Sequence, residues 1–357
     1  MNRLNVEVAG VEGGRIQPGG PVGAMLLANG MRPEMMRPFL DSQGRPCVSV
    51  LGADGKYRAQ PMMIGNAVLQ KDEWKAMDTA VMRVRRERLV GIDDLVSRGL
   101  TYTLSNPMGT TVLEHEVMTD SGVAQMDMDA VNRAPNDRPA FSLDFLPIPI
   151  VHSDFQFNAR VLAASRMRGD SLDTTQAENA TRRVNEKLED LLFTNISYKF
   201  GGGSIYSYVN HPDRMLSNIT AWTASGKTGA GIINDVLAWK EQMLAAKFYG
   251  PWVIYVPTGY ETVLDGDYAL NYTKTVRQRI LEIGGIQDIK VADHLAADNV
   301  VMVQMSSDVV RLVEGMAPTP IQWETEGGMV LNFKILTIRV PQIRSVNGGD
   351  TGIVHAS

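Results

Sequence analysis

The sequence predicts an α+β fold, and three patterns predict it. Helical periodicity occupies separate stretches at residues 70–89, 173–193 and 232–247. Apolar runs rich in β-branched residues crowd residues 252–343. Residues 1–68 and 110–131 carry strand or loop character with too little apolar material to close a core of their own.

Composition bounds what such a chain can be. Its 357 residues are 44% hydrophobic and 21% charged, enough for two or three folding units. Lys and Arg number 35 against 40 Asp and Glu, a net charge of −5 that does not suit tight binding to nucleic acid. The lone Cys47 excludes a disulfide scaffold and fits a reducing cytosol. No apolar run approaches 18 residues, and the first residues lack the apolar core of a signal peptide, so a soluble protein made in the cytoplasm is expected. Thirteen of the 20 methionines fall in residues 1–130. Methionine fills irregular contacts, which points to packing of this third against other surfaces.

Each element follows from its residues. Residues 1–68 are loose and rich in Gly and Pro, with one hairpin at 46–51 and 56–60 around Ala53-Asp54-Gly55. An arm of this kind is expected to lie on something, another copy included. Trp74, Met77, Val81, Val84 and Leu89 mark the helix at 70–89. A projecting polar hairpin is expected at 110–118 and 123–131, a strand at 148–157 and a short helix at 160–168. The helix at 173–193 has Ala177, Ala180, Val184, Leu188 and Leu191 as its apolar stripe, with Asp173 as N-cap. In the helix at 232–247 the expected buried face is Ile233, Val236, Leu237, Met243 and Leu244. Strands at 252–256, 289–291, 300–305, 309–313, 321–325 and 329–343 and helices at 259–264 and 274–283 complete the pattern.

Motifs with chemical meaning are few. Gly169-Asp170-Ser171-Leu172 matches an esterase nucleophile motif, but no Asp has a His three positions on to activate a serine. Ser225-Gly226-Lys227-Thr228 matches the end of a phosphate loop, yet Ala221 stands where the leading Gly is needed. The five histidines are scattered and show no metal-ligand spacing. No catalytic, cofactor or metal site is expected. Glu114-His115-Glu116 falls on the projecting hairpin, where an inter-subunit or solvated role fits best. Arg83, Arg85, Arg86 and Arg88 crowd the first helix. They are either a solvated face paired with carboxylates or a surface facing packaged nucleic acid.

The run Leu146-Pro-Ile-Pro-Ile-Val-His-Ser-Asp-Phe155, the segment Ala163–Thr175 and the helix ending Leu188-Glu-Asp-Leu-Leu-Phe193 resemble the encapsulin shell proteins. These share the HK97-type fold of the major capsid proteins of tailed bacteriophages. Leu69-Gln-Lys-Asp-Glu-Trp74 is similar to the first encapsulin helix, and Tyr249-Gly-Pro-Trp-Val-Ile-Tyr-Val-Pro257 to a strand of their axial domain. The likeness runs in order from about residue 69 to 345.

The resemblance implies a map: an extended N-terminal arm at 1–68, an N-terminal helix region at 69–99 and an extended loop at 100–145. A peripheral domain would occupy 146–214, built on a long spine helix, an axial domain 215–305, and the second peripheral part with the C-terminal tail 306–357. It further implies a non-enzymatic shell subunit assembled in the host cytoplasm. Its partners would be other copies in pentamers and hexamers, and it leaves room for a decoration protein, scaffold and portal, with no membrane. The arm is longer than in encapsulins and favours a virion enclosing double-stranded DNA through weak contacts over a compartment holding a cargo enzyme. Residues 76–186 contain no Lys, so the lysine donor of an isopeptide cross-link on the extended loop is missing.

Overall fold

The computed structural model describes residues 11–12, 15–16, 21–28, 32, 36–41, 43, 45–51, 56–62, 69, 71–88, 90–118, 141–168, 174–269, 273–345 and 349–357. A short helix, Pro21–Ala28, precedes the first long helix, Lys71–Arg88, which opens with Asp72 and Glu73, whose charges suit a helix N-terminus. Trp74, Met77, Ala80 and Val81 are buried along one side of it. The spine helix, Thr175–Phe193, buries all five residues of the expected stripe, and Thr181, Asn185 and Glu189 beside them. Its N-cap is Thr174, not Asp173, which lies outside the described residues.

These two helices pack on a four-stranded sheet ordered Thr101–Thr103, Val310–Thr325, Val330–Ile343, Val151–Asn158. Trp74, Met77, Ala177, Leu331 and Phe333 form one cluster between them, and Val81, Ala180, Val184 and Ile335 another. The strands expected separately at 309–313 and 321–325 are one strand of 16 residues. Its register shifts between Glu314 and Met316 and again before Thr319. Such bulges accommodate an extra residue and a proline that cannot donate to the ladder, here Pro318. Gly315 permits a close crossing there, since a Cβ would meet Pro107 at 2.3 Å.

The second sheet has five strands, ordered Met215–Ser217, Ile353–Ala356, Val300–Gln304, Trp252–Val256, Ile286–Val291. Trp252–Val256 and Ile353–Ala356 are buried at every position, the pattern of strands covered on both faces. The helices Gly229–Ala245, Glu261–Asp265 and Val276–Leu281 accompany the sheet. In Gly229–Ala245 the buried residues are Ile232, Ile233, Val236, Trp239 and Met243. Leu237 and Leu244, expected in the core, are 45% and 41% exposed. Each sits one position past a buried residue, about 100° around the helix from it. Residues 353–356, expected as a trailing tail, instead fill an interior position of this sheet, parallel to Met215–Ser217 and antiparallel to Val300–Gln304.

The projecting ribbon also differs from expectation. Val112–Met118 pairs antiparallel with Phe141–Pro147, not with 123–131, which lies outside the described residues. In the arm, Phe39–Leu40, Pro46–Leu51 and Tyr57–Pro61 form a three-stranded antiparallel sheet. Phe39 and Cys47 are buried with Trp74 and Phe333, while Ile16 and Leu26 join the main core. These parts of the arm therefore close on their own chain, because a few of their apolar side chains join its core clusters. The 53–55 turn lies outside the described residues.

Candidate functional site

The spine helix spans both halves of the molecule, and its last turns carry the polar centre that joins them. Leu188, Leu191, Leu192 and Phe193 belong to the same core cluster as the five-stranded sheet. The Phe193 ring meets Tyr255 at 5.0 Å and Tyr208 at 5.7 Å between centroids. Beside them Glu189 turns inward and accepts hydrogen bonds from the backbone N–H of Gly91, at 3.0 Å, and Ile92, at 3.4 Å. These amides open the helix Val90–Ser97, so the Glu189 carboxyl of the spine helix caps it. Gly91 has no room for a side chain: a Cβ would lie 2.7 Å from Phe193 and 2.8 Å from Leu192.

One turn on, Asp94 is 2% exposed. It accepts hydrogen bonds from the Tyr255 hydroxyl at 2.7 Å, Lys290 Nζ at 2.9 Å and Arg98 Nε at 2.7 Å. Burial opposes its charge, but the bonds from Arg98, Lys290 and Tyr255 outweigh burial and hold the carboxyl below its ordinary value. Glu189 is the opposite case. Burial pushes it up to about 8, and the amides of Ile92 and Gly91 offset only part of that. His294 Nδ1 lies 2.8 Å from Asp190 and ties the same helix end to the loop after Ile286–Val291. The arrangement binds the first-helix region, the spine helix and the five-stranded sheet into one junction. Glu189 shows its role in sequence only as a charge beside an apolar stripe, and nothing local marks Asp94.

A second anchor holds the arm. Arg37 is 3% exposed and pairs both guanidinium nitrogens with Asp78 at 2.8 Å. It also donates to the Pro320 carbonyl and lies 4.8 Å over the Trp74 ring, whose Nε1 donates to Pro38. A bidentate guanidinium–carboxylate pair on an aromatic face is a geometry only Arg supplies.

The motifs singled out in sequence fall in separate places. Thr228 caps the helix Gly229–Ala245 by accepting from Gly231 N–H, and Lys227 pairs with Asp235 at 2.6 Å. These contacts make the segment a helix entrance. Gly169-Asp170-Ser171-Leu172 lies outside the described residues, as do the side chains of Arg83, Arg85, Arg86 and Arg88 on the first helix. Glu114, His115 and Glu116 stand on the ribbon, the two glutamates exposed and the histidine tucked under. His115 Nε2 is 3.4 Å from Asp144 on the paired strand. His355 accepts from Arg214 at Nδ1 and meets Asn299 Oδ1 at 2.7 Å with Nε2; burial, then the Arg214 charge, lowers it to about 4. Among the described residues no three His, Cys, Asp or Glu side chains gather as a metal cage. No helix among them is long and apolar enough to cross a membrane.

Of the comparisons with known proteins, those with solved structures bear on architecture. A family model described as a family of unknown function (DUF6260) matches residues 64–356. No curated protein matches the sequence. Among solved structures, a virus-like particle from Pyrococcus furiosus aligns at TM-score 0.58 and 14% identity, covering 79% of this chain and 98% of that one. The capsid of Myoviridae phage XM1 aligns at TM-score 0.57 and 12% identity, over 73% and 90%. A structure of Mycobacterium phage Adephagia aligns at 0.51 and 10%, over 74% and 89%. The fold is that of capsid shell proteins, the HK97-type fold that the sequence resemblance implies.

Proposed function

The chain belongs to the DUF6260 family, and from its shell-protein fold we propose that it is a major capsid protein, self-assembling into an icosahedral head that encloses double-stranded DNA. The observation that carries this reading is the architecture as a whole. A spine helix is locked into two sheets, and beside them lie a ribbon with exposed polar residues and an arm anchored on its own chain at Arg37. Neighbouring subunits would cover the ribbon's exposed side. In this reading the five-stranded sheet is the axial domain at the centre of pentamers and hexamers. The four-stranded sheet with the spine helix is the peripheral domain, and the ribbon with residues 119–140 is the extended loop. Residues 353–356 belong with the axial domain, since their pairing lies there. The subunit is a structural, non-enzymatic component of the virion, assembled in the host cytoplasm. Arg83, Arg85, Arg86 and Arg88 would face the packaged DNA, and a scaffold, portal or decoration protein would meet the shell.

Electron microscopy of purified particles tests this. Angular, DNA-filled heads are expected; a chain that stays monomeric at micromolar concentration overturns it. The likeness to the Pyrococcus particle keeps a second reading open, a compartment enclosing a cargo enzyme. Particles free of DNA that co-purify with an enzyme would select it.

A further inference from the structure

Glu189 is buried without a counter-charge. It is 4% exposed and accepts hydrogen bonds from the Gly91 and Ile92 amides, and among the described residues no Lys or Arg pairs with it. The cations that reach this junction are taken by its other carboxylates. Lys290 and Arg98 lie 2.9 and 2.7 Å from Asp94, which the Tyr255 hydroxyl also meets. His294 and Lys187 hold Asp190, at 2.8 and 3.6 Å. Asp93 follows Ile92 on the short helix and Asp293 precedes His294 in the loop, and both oppose a charge on Glu189. Burial raises the Tyr208 and Tyr255 hydroxyls, so neither brings a charge. A buried ion without a partner is costly, and a neutral carboxyl avoids that cost.

The cover over this carboxyl is thin. The inner side of the helix Val90–Ser97, made by Gly91, Ile92, Asp94 and Leu95, is buried. Its outer side is in water, with Val90 38% and Val96 37% exposed. Glu189 holds the first turn, through the amides of Gly91 and Ile92. Asp94 holds the second turn to the five-stranded sheet, through Tyr255 and Lys290, and Ile92 and Leu95 join the apolar core. The helix thus stays on the core when its first turn tilts away from the spine helix. A tilt that admits one water is enough to solvate the carboxyl.

We propose that Glu189 and the first turn of this helix form a proton-gated clasp, closed on the neutral carboxyl and parted by water when the carboxyl ionises. The closed clasp ties the spine helix to an element that is itself fixed to the five-stranded sheet, so the link between the two halves of the subunit becomes adjustable by pH. The direction follows from linkage. Closing keeps the proton, so the clasp is tight in acid and neutral solution and loosens as pH rises through about 8. Beyond that point opening releases one proton, and the open fraction grows about tenfold per pH unit. The clasp belongs to the single subunit and does not depend on the shell reading.

Amide hydrogen exchange of the full-length chain, followed from about pH 6 to about pH 10, tests it. The amides of Ile254 and Met302, in the sealed sheet, serve as the internal reference. In the wild type the protection factors of Gly91 and Ile92 should hold to about pH 8 and then fall about tenfold per unit, while the reference stays level. In Glu189→Gln, which cannot ionise, the Gly91 and Ile92 factors should stay level throughout. Gly91 and Ile92 factors that never fall in the wild type overturn the proposal. A fall shared equally with Ile254 and Met302 also overturns it, because the whole chain then opens. So does a Glu189→Gln chain that loses protection as the wild type does. If that variant does not fold, infrared spectroscopy of the wild type decides. A protonated-carboxyl band that fades in step with the loss of protection supports the clasp, and loss of protection with no such band overturns it.

Discussion

The five-stranded sheet and the ribbon are both built from short strands, yet they solve opposite problems. In the sheet, Val253, Ile254, Tyr255, Val301 and Met302 have no exposed surface, and helices and loops seal both faces. In the ribbon, Glu114 and Glu116 alternate with inward side chains, and Leu143 is 58% exposed. The sheet closes a core within one chain. On the shell reading proposed above, the ribbon is half of an interface. Stability of the isolated subunit would then reside in the sheet and junction, and stability of an assembly would draw on the ribbon.

Four substitutions sharpen this contrast, the largest effect first. Trp252→Ala, in the sealed strand, should cost about 3–5 kcal/mol in chemical denaturation. Lys240 lies over this ring at 5.7 Å, and Gly285 makes room for its edge, so the vacated space is hemmed by parts that cannot collapse easily.

Glu189 gives the junction a pH dependence. Its folded value, about 8, lies above the unfolded value of 4.5, so the folded chain holds an extra proton between them. The group's contribution to stability is whole below about pH 4.5 and is lost as pH rises through 8, by at most about 4–5 kcal/mol. Glu189→Gln keeps an oxygen for the Gly91 and Ile92 amides and should flatten the stability profile across that window. An unchanged slope would show that the carboxyl does not titrate there. His355 acts at the acid end. Its lowered value means stability is lost as pH falls from about 6.5 toward 4, because a protonated Nδ1 can no longer accept from Arg214.

Gly91→Ala should cost about 1–3 kcal/mol, since the new Cβ presses on Phe193 and Leu192 in a packed junction. Leu143→Ser on the ribbon should change the stability of the isolated subunit by no more than about 0.5 kcal/mol while reducing particle yield. A matching loss in both measurements would erase the distinction between the two regions.

Periodicity made the helices legible. The stripe of Ala177, Ala180, Val184, Leu188 and Leu191 repeats at helical spacing, and only one packing buries it. It failed at Leu237 and Leu244, where an apolar residue lies beside the true stripe and sequence alone does not say which face meets the sheet. Pairing partners were harder. Nothing in residues 110–131 shows that the return strand begins at Phe141, because a polar alternating run pairs acceptably in several registers. The same holds for Ile353–Ala356, four residues too few to announce a strand until a vacant site in the sheet takes them.

By itself, the sequence determined the long helices and the buried strands of the second half, the absence of a complete catalytic motif and the likeness to shell proteins, because these depend on local spacing and composition. The helix Val90–Ser97 was not legible in it. Only the tertiary structure decided that Glu189 caps a distant helix, that Asp94 gathers Tyr255, Lys290 and Arg98, and that Arg37 anchors the arm to Asp78. Apart from Asp94 and Arg98, one helical turn apart, those pairs lie 41 to 196 residues apart in the chain. Chain connectivity carries no record of them. They exist because burying a charge is costly, and the fold met that cost with whichever partners packing brought within reach.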